Sequence, residues 1–90
     1  MVPLDDGEAR ARMKAVPGWE LHGGEIRRQC GFADFKAAIT FVNRVAELAE
    51  AMNHHPDILI NYSRVTLTLT SHDSGGLTER DFRLAAKIDT

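Results

Sequence analysis

The sequence has one cysteine, three prolines and no long run of apolar residues. A lone cysteine, Cys30, cannot form an internal disulfide, which indicates a reducing compartment. No apolar run approaches the roughly 20 residues that a membrane-spanning helix needs. The charged segment 1–12 lacks the apolar core of a signal peptide. These absences predict a cytoplasmic protein with no membrane partner.

The chain also lacks an excess of basic residues. Eleven Lys and Arg against thirteen Asp and Glu give a formal net charge of -2. Proteins that bind phosphate backbones usually carry a basic excess, so we expect no direct nucleic-acid partner. A length of 90 residues, 43% of them hydrophobic and 27% charged, is typical of one globular domain that occupies residues 1–90.

Capping and turn residues mark the first third of the chain. Asp5, with Glu8 three residues later, predicts a capped helix that ends before Pro17-Gly18. Gly23-Gly24 accepts the positive φ angles of a tight turn. We therefore predict an antiparallel hairpin over residues 19–31.

The most regular helical pattern begins at Asp34. Apolar residues follow at steps of three and four, the helical period: Phe35, Ala38, Ile39, Val42, Val45, Ala46, Ala49 and Met52. Phe41 and Leu48 lie beside this stripe, so the apolar arc is wider than one packing face requires. Either the helix is well buried within its own domain, or a helix of another subunit covers these two residues.

Two more strands and a last helix complete the predicted order. Strands are expected over Ile58–Tyr62 and Arg64–His72, the second with Val65, Leu67 and Leu69 on its core face. Strict alternation places His72 on the opposite face, unless the strand bends before its end. Thr78 with Asp81 as its capping-box partner predicts the final helix. The order α-β-β-α-β-β-α indicates an α+β domain, an antiparallel sheet covered by helices.

Three histidines are the candidate functional residues. Pro56 disfavours helical geometry for His55, so the long helix should end near Asn53 or His54. His72 lies at the end of the fourth strand, beside a glycine-containing loop. An imidazole exchanges protons near neutral pH because its ordinary pKa is about 6.5. We therefore expect three imidazoles from two elements to converge on one pocket.

Acid–base catalysis competes here with metal binding. Three imidazoles match a zinc site, but adjacent residues rarely direct both rings at one ion, and the His-x-x-x-His spacing is absent. No nucleophile motif is present, because Cys30 lies in a predicted strand and no serine has a nucleophile-elbow context. General acid–base catalysis remains, and Glu50 is placed to orient His54 at four-residue helical spacing.

The spacing of these residues resembles a known signature, that of the pterin-4a-carbinolamine dehydratases. The residues that carry the resemblance are Glu50, His54-His55-Pro56, Tyr62, His72 and Asp81. The flanking segments 41–46 and 70–81 are similar to that family as well. The resemblance extends from about Gly18 to Asp89.

The resemblance implies a fold and a reaction. The fold would be a sheet of four antiparallel strands with helices packed on one face, assembled as a homodimer or homotetramer. The reaction would be the loss of water from 4a-hydroxytetrahydropterin to give the quinonoid dihydropterin, with no metal and no cofactor. His54 and His72 correspond to the acid–base pair of the family.

The other signature residues correspond to substrate-binding positions. By resemblance, His55 chiefly holds the pterin, and Glu50 and Asp81 occupy acidic positions of the family. The capping role of Asp81 would by itself explain its presence. Tyr62 would either pack in the core or line the pocket. Ile58 replaces an aromatic residue that family members often carry, so a stacking contact with the pterin is lost.

The resemblance also implies an alternative function, that of a protein-interaction module. Animal members of the family also act as dimerisation partners of a homeodomain transcription factor through the long helix. Phe41 and Leu48 are the residues that would serve such an interaction.

Overall fold

A computed structural model describes residues 2–90 as one four-stranded sheet with three α-helices and a short 3-10 turn. The strands are β1 (Glu20–His22), β2 (Glu25–Gly31), β3 (Asp57–Asn61) and β4 (Arg64–Leu69). The helices are α1 (Asp6–Met13), α2 (Phe35–Met52) and α3 (Glu79–Asp89), and the 3-10 turn is His72–Ser74. The strands run antiparallel in the order β1-β2-β4-β3, which confirms the predicted α+β class.

Strand β4 shows how the sequence assigns the two faces of the sheet. Its apolar residues Val65, Leu67 and Leu69 are fully buried, whereas Thr66 and Thr68 are only half-buried. The buried residues form one core with side chains of α2 and α3, including Val45, Ala49, Leu84, Ala85 and Ile88. Burying each large aliphatic side chain contributes about 1.5–3 kcal/mol. The helices thus cover one face of the sheet, and the threonines lie on the other, which we call the open face.

Strand β3 forms an edge of the sheet, and all five of its residues are exposed. Three consecutive apolar residues, Ile58, Leu59 and Ile60, keep 36%, 57% and 37% of their surface accessible. The strand ends at Asn61, one residue earlier than predicted, because Tyr62 takes a left-handed conformation (φ 53°) in the turn to β4.

The capping predictions hold at α1 and α3, and α2 is capped as well. Asp5 and Glu8 exchange side-chain bonds with each other's backbone N–H at α1, and Thr78 and Asp81 form the same motif at α3. At the start of α2, the Asp34 carboxylate accepts a hydrogen bond from the Ala37 N–H at 2.8 Å. Each cap satisfies backbone donors that have no partner in the first turn of the helix.

The wide apolar arc of α2 is partly covered within the chain itself. Phe41 packs against Phe32 with ring centroids 5.0 Å apart, and Leu48 packs partly buried against the core. Phe35, half exposed at the start of the helix, is the more open aromatic side chain. Within residues 2–90, no helix has both the length and the apolar character needed to cross a bilayer.

The end of β4 decides the position of His72, which the sequence left open. The strand stops at Leu69, three residues earlier than predicted, because Ser71 forms a bridge with Gly76 that bends the chain back. Gly75, with φ 78°, accepts the left-handed conformation that closes this loop. His72 therefore lies in the 3-10 turn and not in the strand.

Candidate active site

His54 is held in place by a buried carboxylate. Asn53 ends α2 in a left-handed conformation, and the next backbone N–H, that of His54, donates to the Ala49 carbonyl at 3.0 Å. This turn directs the His54 ring into the protein, where only 7% of the residue is exposed. Its Nε2 lies 2.5 Å from Oδ1 of Asp81, which is fully buried.

Asp81 joins three parts of the chain. Its second oxygen, Oδ2, accepts hydrogen bonds from the Ser71 hydroxyl at 2.8 Å and from the Thr78 backbone N–H at 2.9 Å. Because Ser71 directs its proton to Asp81, the Thr78 hydroxyl is the donor in the 2.9 Å bond between the two hydroxyls. The end of α2, the loop after β4 and the start of α3 thus meet at one carboxylate. The sequence predicted only the capping part of this arrangement.

The contact with Asp81 fixes which nitrogen of His54 is available to a ligand. A carboxylate only accepts hydrogen bonds, so Nε2 of His54 carries the proton between them. Among the buried and half-buried residues of the range 2–90, each side-chain nitrogen or oxygen that is shielded from solvent has a hydrogen-bond partner. Nδ1 of His54 has no such partner and is therefore accessible at the surface. It is the atom through which this ring can give or take a proton.

His55 and Glu50 form a second, exposed pair. Nε2 of His55 lies 2.5 Å from Oε2 of Glu50, and 55% and 77% of these side chains are exposed. The prediction that Glu50 orients His54 is therefore wrong. The left-handed Asn53 turns His54 inward and leaves His55 exposed just beyond the end of α2, within reach of Glu50.

The three imidazoles line one open pocket, which we call the histidine pocket. Its volume is about 380 Å³, within the range of small-molecule sites. The lining residues are Asn53, His54, His55, Thr70, His72, Asp73 and Arg80. Residues from the end of α2 and from the segment after β4 thus converge, although 15 or more positions separate them in sequence.

Sequence reasoning assigned no role to Arg80 and Asp73 of this pocket. Nη2 of Arg80 donates to Oδ1 of Asp73 at 2.7 Å, and this hydrogen bond holds the pKa of the Asp73 carboxyl below its ordinary value. Arg80 lies next to the capping residue Asp81, in the first turn of α3. Because first-turn side chains flank the preceding loop, this position was the available signal for a pocket residue.

Tyr62 does not reach the histidine pocket. It lies in the turn between β3 and β4, is 70% exposed, and borders a separate hollow with Gly31, Ser63 and Arg64. Tyr62 therefore neither packs in the core nor lines the histidine pocket of its own chain. Both of the roles that we expected from the sequence are wrong for this chain.

The metal alternative depends on three ligands that meet at one point. Among residues 2–90, no three His, Cys, Asp or Glu side chains are grouped as a potential metal-binding set.

The comparisons with known proteins identify the family. A family model described as pterin 4 alpha carbinolamine dehydratase matches residues 2–90. The chain belongs to this family. Of the residues that carry the resemblance, His54, His55 and His72 line the histidine pocket, whereas Asp81 lies inside the fold and Tyr62 lies apart from the pocket.

Relatives in this dehydratase family match almost the whole chain. A protein of Chloroflexus aurantiacus is 54% identical over 99% of this chain and 96% of its own. A protein of Thermomicrobium roseum is 51% identical over 98% of this chain and 95% of its own. A protein of Sulfurisphaera tokodaii is 45% identical over 99% of this chain and 96% of its own. All three carry the name pterin-4-alpha-carbinolamine dehydratase as a provisional assignment.

Solved structures show the same dehydratase fold. A Brucella melitensis protein described as a transcriptional coactivator/pterin dehydratase superposes with a TM-score of 0.90 at 35% identity, over 97% of this chain and 95% of its own. A pterin dehydratase-like protein, described as a RuBisCO assembly factor in the alpha-carboxysome, superposes with a TM-score of 0.64 at 22% identity. It covers 79% of this chain and 82% of its own, and shows likeness of fold alone.

Proposed function

We propose that this chain is a hydro-lyase that converts 4a-hydroxytetrahydropterin into the quinonoid dihydropterin, with His54 and His72 as its acid–base pair. One observation carries the proposal. His54 is held through Nε2 by the buried Asp81 and has Nδ1 free beside a pocket that His72 also lines. Membership in the dehydratase family supports the same reaction.

The chemistry needs two proton transfers and no redox step. The C4a–O bond breaks, and the leaving hydroxyl takes a proton from one imidazolium and departs as water. N5 gives up its proton to a base, and its electrons form the C4a=N5 double bond. Each positioned acid or base typically contributes about 10² to 10⁴ in rate, or about 3 to 5.5 kcal/mol of barrier. Two imidazoles therefore suffice for this proposed mechanism without a metal or cofactor.

The remaining pocket residues divide into binding and positioning roles. His55, exposed at the pocket and paired with Glu50, holds the pterin ring, and Glu50 fixes the orientation of that imidazole. Asp81 touches no substrate in this proposal. It is a positioning residue that keeps Nε2 of His54 protonated and the ring at a fixed angle.

The protein should accelerate the decay of freshly prepared 4a-hydroxytetrahydropterin. Stopped-flow absorbance in the presence and absence of protein measures this directly, because the quinonoid product absorbs differently from the carbinolamine. A preparation purified in a chelator, with metal content below stoichiometry, should keep the full rate. A rate equal to that in buffer contradicts the proposal, and activity that follows bound zinc contradicts the metal-free mechanism.

We further propose that the chain forms a homodimer or homotetramer through β3. An edge strand presents unpaired backbone groups, and natural proteins usually protect such edges with charge, proline or a covering element. Here the edge carries Ile58, Leu59 and Ile60, all exposed. A second copy that pairs with this strand would satisfy the backbone groups and reduce the exposure of the three side chains.

Light scattering coupled to gel filtration should give at least twice the 10.0 kDa mass of one chain. Leu59→Lys should reduce the measured mass to that of one chain, since a lysine on an edge strand opposes pairing with a second copy. Phe35→Lys is the matched control, because Phe35 is similarly exposed but lies at the start of α2. A wild-type monomer, or an assembly unaffected by Leu59→Lys, contradicts the proposal.

A further inference from the structure

A second pocket, which we call the hairpin pocket, adjoins the histidine pocket. Its volume is about 440 Å³. Its lining residues are His22, Gly24, Glu25, Thr70, His72, Gly75 and Gly76. Thr70 and His72 line both pockets, so they form a common wall. A ligand in the histidine pocket can therefore extend past His72 into the hairpin pocket.

The hairpin pocket is built by contacts between distant segments. The Thr70 hydroxyl donates to the Gly24 carbonyl at 2.6 Å, which ties the β1–β2 turn to the end of β4. The two turns that flank the pocket use Gly23 and Gly75 at φ angles of 60° and 78°. A Cβ added to Gly76 would lie 3.1 Å from Cβ of Pro3, a tighter approach than side chains normally make. The Thr70–Gly24 hydrogen bond and the two glycine turns thus position the walls of the pocket.

The polar groups of the hairpin pocket suit a neutral, hydroxylated ligand. His22 and Glu25 are cross-strand partners in the β1–β2 pair, so their side chains project from the same face about 5 Å apart. The Glu25 carboxylate is already paired with Arg27 at 3.0 Å, and no Lys or Arg lines the pocket. The imidazole and hydroxyl groups offer both donors and acceptors, and the backbone carbonyls offer acceptors. Hydroxyl groups match this set better than an anion does.

The proposed reaction determines which part of a pterin would enter the hairpin pocket. The reacting atoms are C4a and N5, and C6 is bonded directly to N5. If His72 acts at the reacting edge, the substituent on C6 lies next to His72, at the wall between the pockets. We propose that His22 binds the hydroxylated alkyl chain on C6 and sets the preference among pterins. This inference rests on the proposed function and assigns His22 a role in substrate binding and specificity.

The test compares two carbinolamines that differ only at C6, one with a dihydroxypropyl chain and one with a methyl group. The wild-type protein should show the higher kcat/KM with the dihydroxypropyl substrate. His22→Ala should lower this value about 2- to 10-fold, the effect of one hydrogen bond, through KM and with kcat unchanged. The same variant should leave the methyl substrate unaffected, which also shows that it is folded.

Glu20→Ala is the matched control, because Glu20 is exposed on the same face of β1 and borders neither pocket. It should leave both substrates unchanged, and His22→Gln should restore part of the preference because its amide can still bind a hydroxyl. An unchanged preference in His22→Ala, or an equal loss with both substrates, overturns this inference while the dehydratase proposal stands. No acceleration of either substrate by the wild-type protein overturns both.

Discussion

Replacing His54 and His72 together should abolish the acceleration of carbinolamine dehydration. In the proposed mechanism these rings supply the only positioned acid and base, each of which contributes about 10² to 10⁴ in rate. Groups that act as a unit give non-additive losses, so each single replacement should cost nearly as much as the pair. Stopped-flow kcat values of the two single variants and the double variant measure this relation.

Because alanine at position 54 leaves the buried Asp81 without a partner, His54→Ala can lose activity by unfolding. His54→Gln removes this ambiguity, since its amide N–H can still donate to Asp81 but cannot exchange a proton at neutral pH. We expect His54→Gln to be folded and at least 100-fold slower, by the lower bound of acid–base effects. His55→Ala is the matched control within the pocket, and it should raise KM more than it lowers kcat. A folded double variant that retains a tenth of the wild-type kcat contradicts the assignment.

Removing the Asp81 carboxylate should produce the largest loss of stability. Asp81→Ala breaks a buried pair with His54 and leaves the Ser71 hydroxyl and the Thr78 N–H without their acceptor. Breaking a buried, hydrogen-bonded pair typically costs about 3–5 kcal/mol. The free energy of unfolding of a domain of this size is about 5–15 kcal/mol, so the substitution would remove much of the stability. Urea denaturation measures the difference.

Glu8→Ala provides the matched control for this experiment. Glu8 occupies the same capping-box position in α1 as Asp81 does in α3, but it is exposed and accepts only the Asp5 backbone N–H at 3.0 Å. Glu8→Ala should lower the free energy of unfolding by about 0.5–1.5 kcal/mol, the net contribution of one hydrogen bond. Equal losses in the two variants would mean that the contacts with His54 and Ser71 add nothing to the stability of the fold.

The parts of the fold that depend on neighbouring residues could be predicted from the sequence. The caps at Asp5 and Thr78 follow from side chains that reach backbone donors two or three positions away, and the face of β4 follows from alternation. The end of β4 could not be predicted, because it depends on the Ser71–Gly76 bridge, a pairing outside any local pattern.

The sequence predicted which histidines form the site but not which carboxylate each of them contacts. The convergence of His54, His55 and His72 was expected, whereas the partners of the first two were not. Which imidazole meets Glu50 depends on one left-handed residue, Asn53, and a proline two positions after His54 does not reveal that conformation. The contact of His54 with Asp81 joins residues 27 positions apart and requires the docking of α3.

The place of Asp81 at the junction of three segments has a consequence for partially folded forms of the protein. A chain in which α3 has not yet docked lacks the carboxylate that orients the ring at position 54. In such a chain the proposed acid–base group at position 54 would have no fixed orientation. In the proposed mechanism, turnover therefore requires α3 to be docked, and substitutions that loosen the docking of α3 should diminish activity.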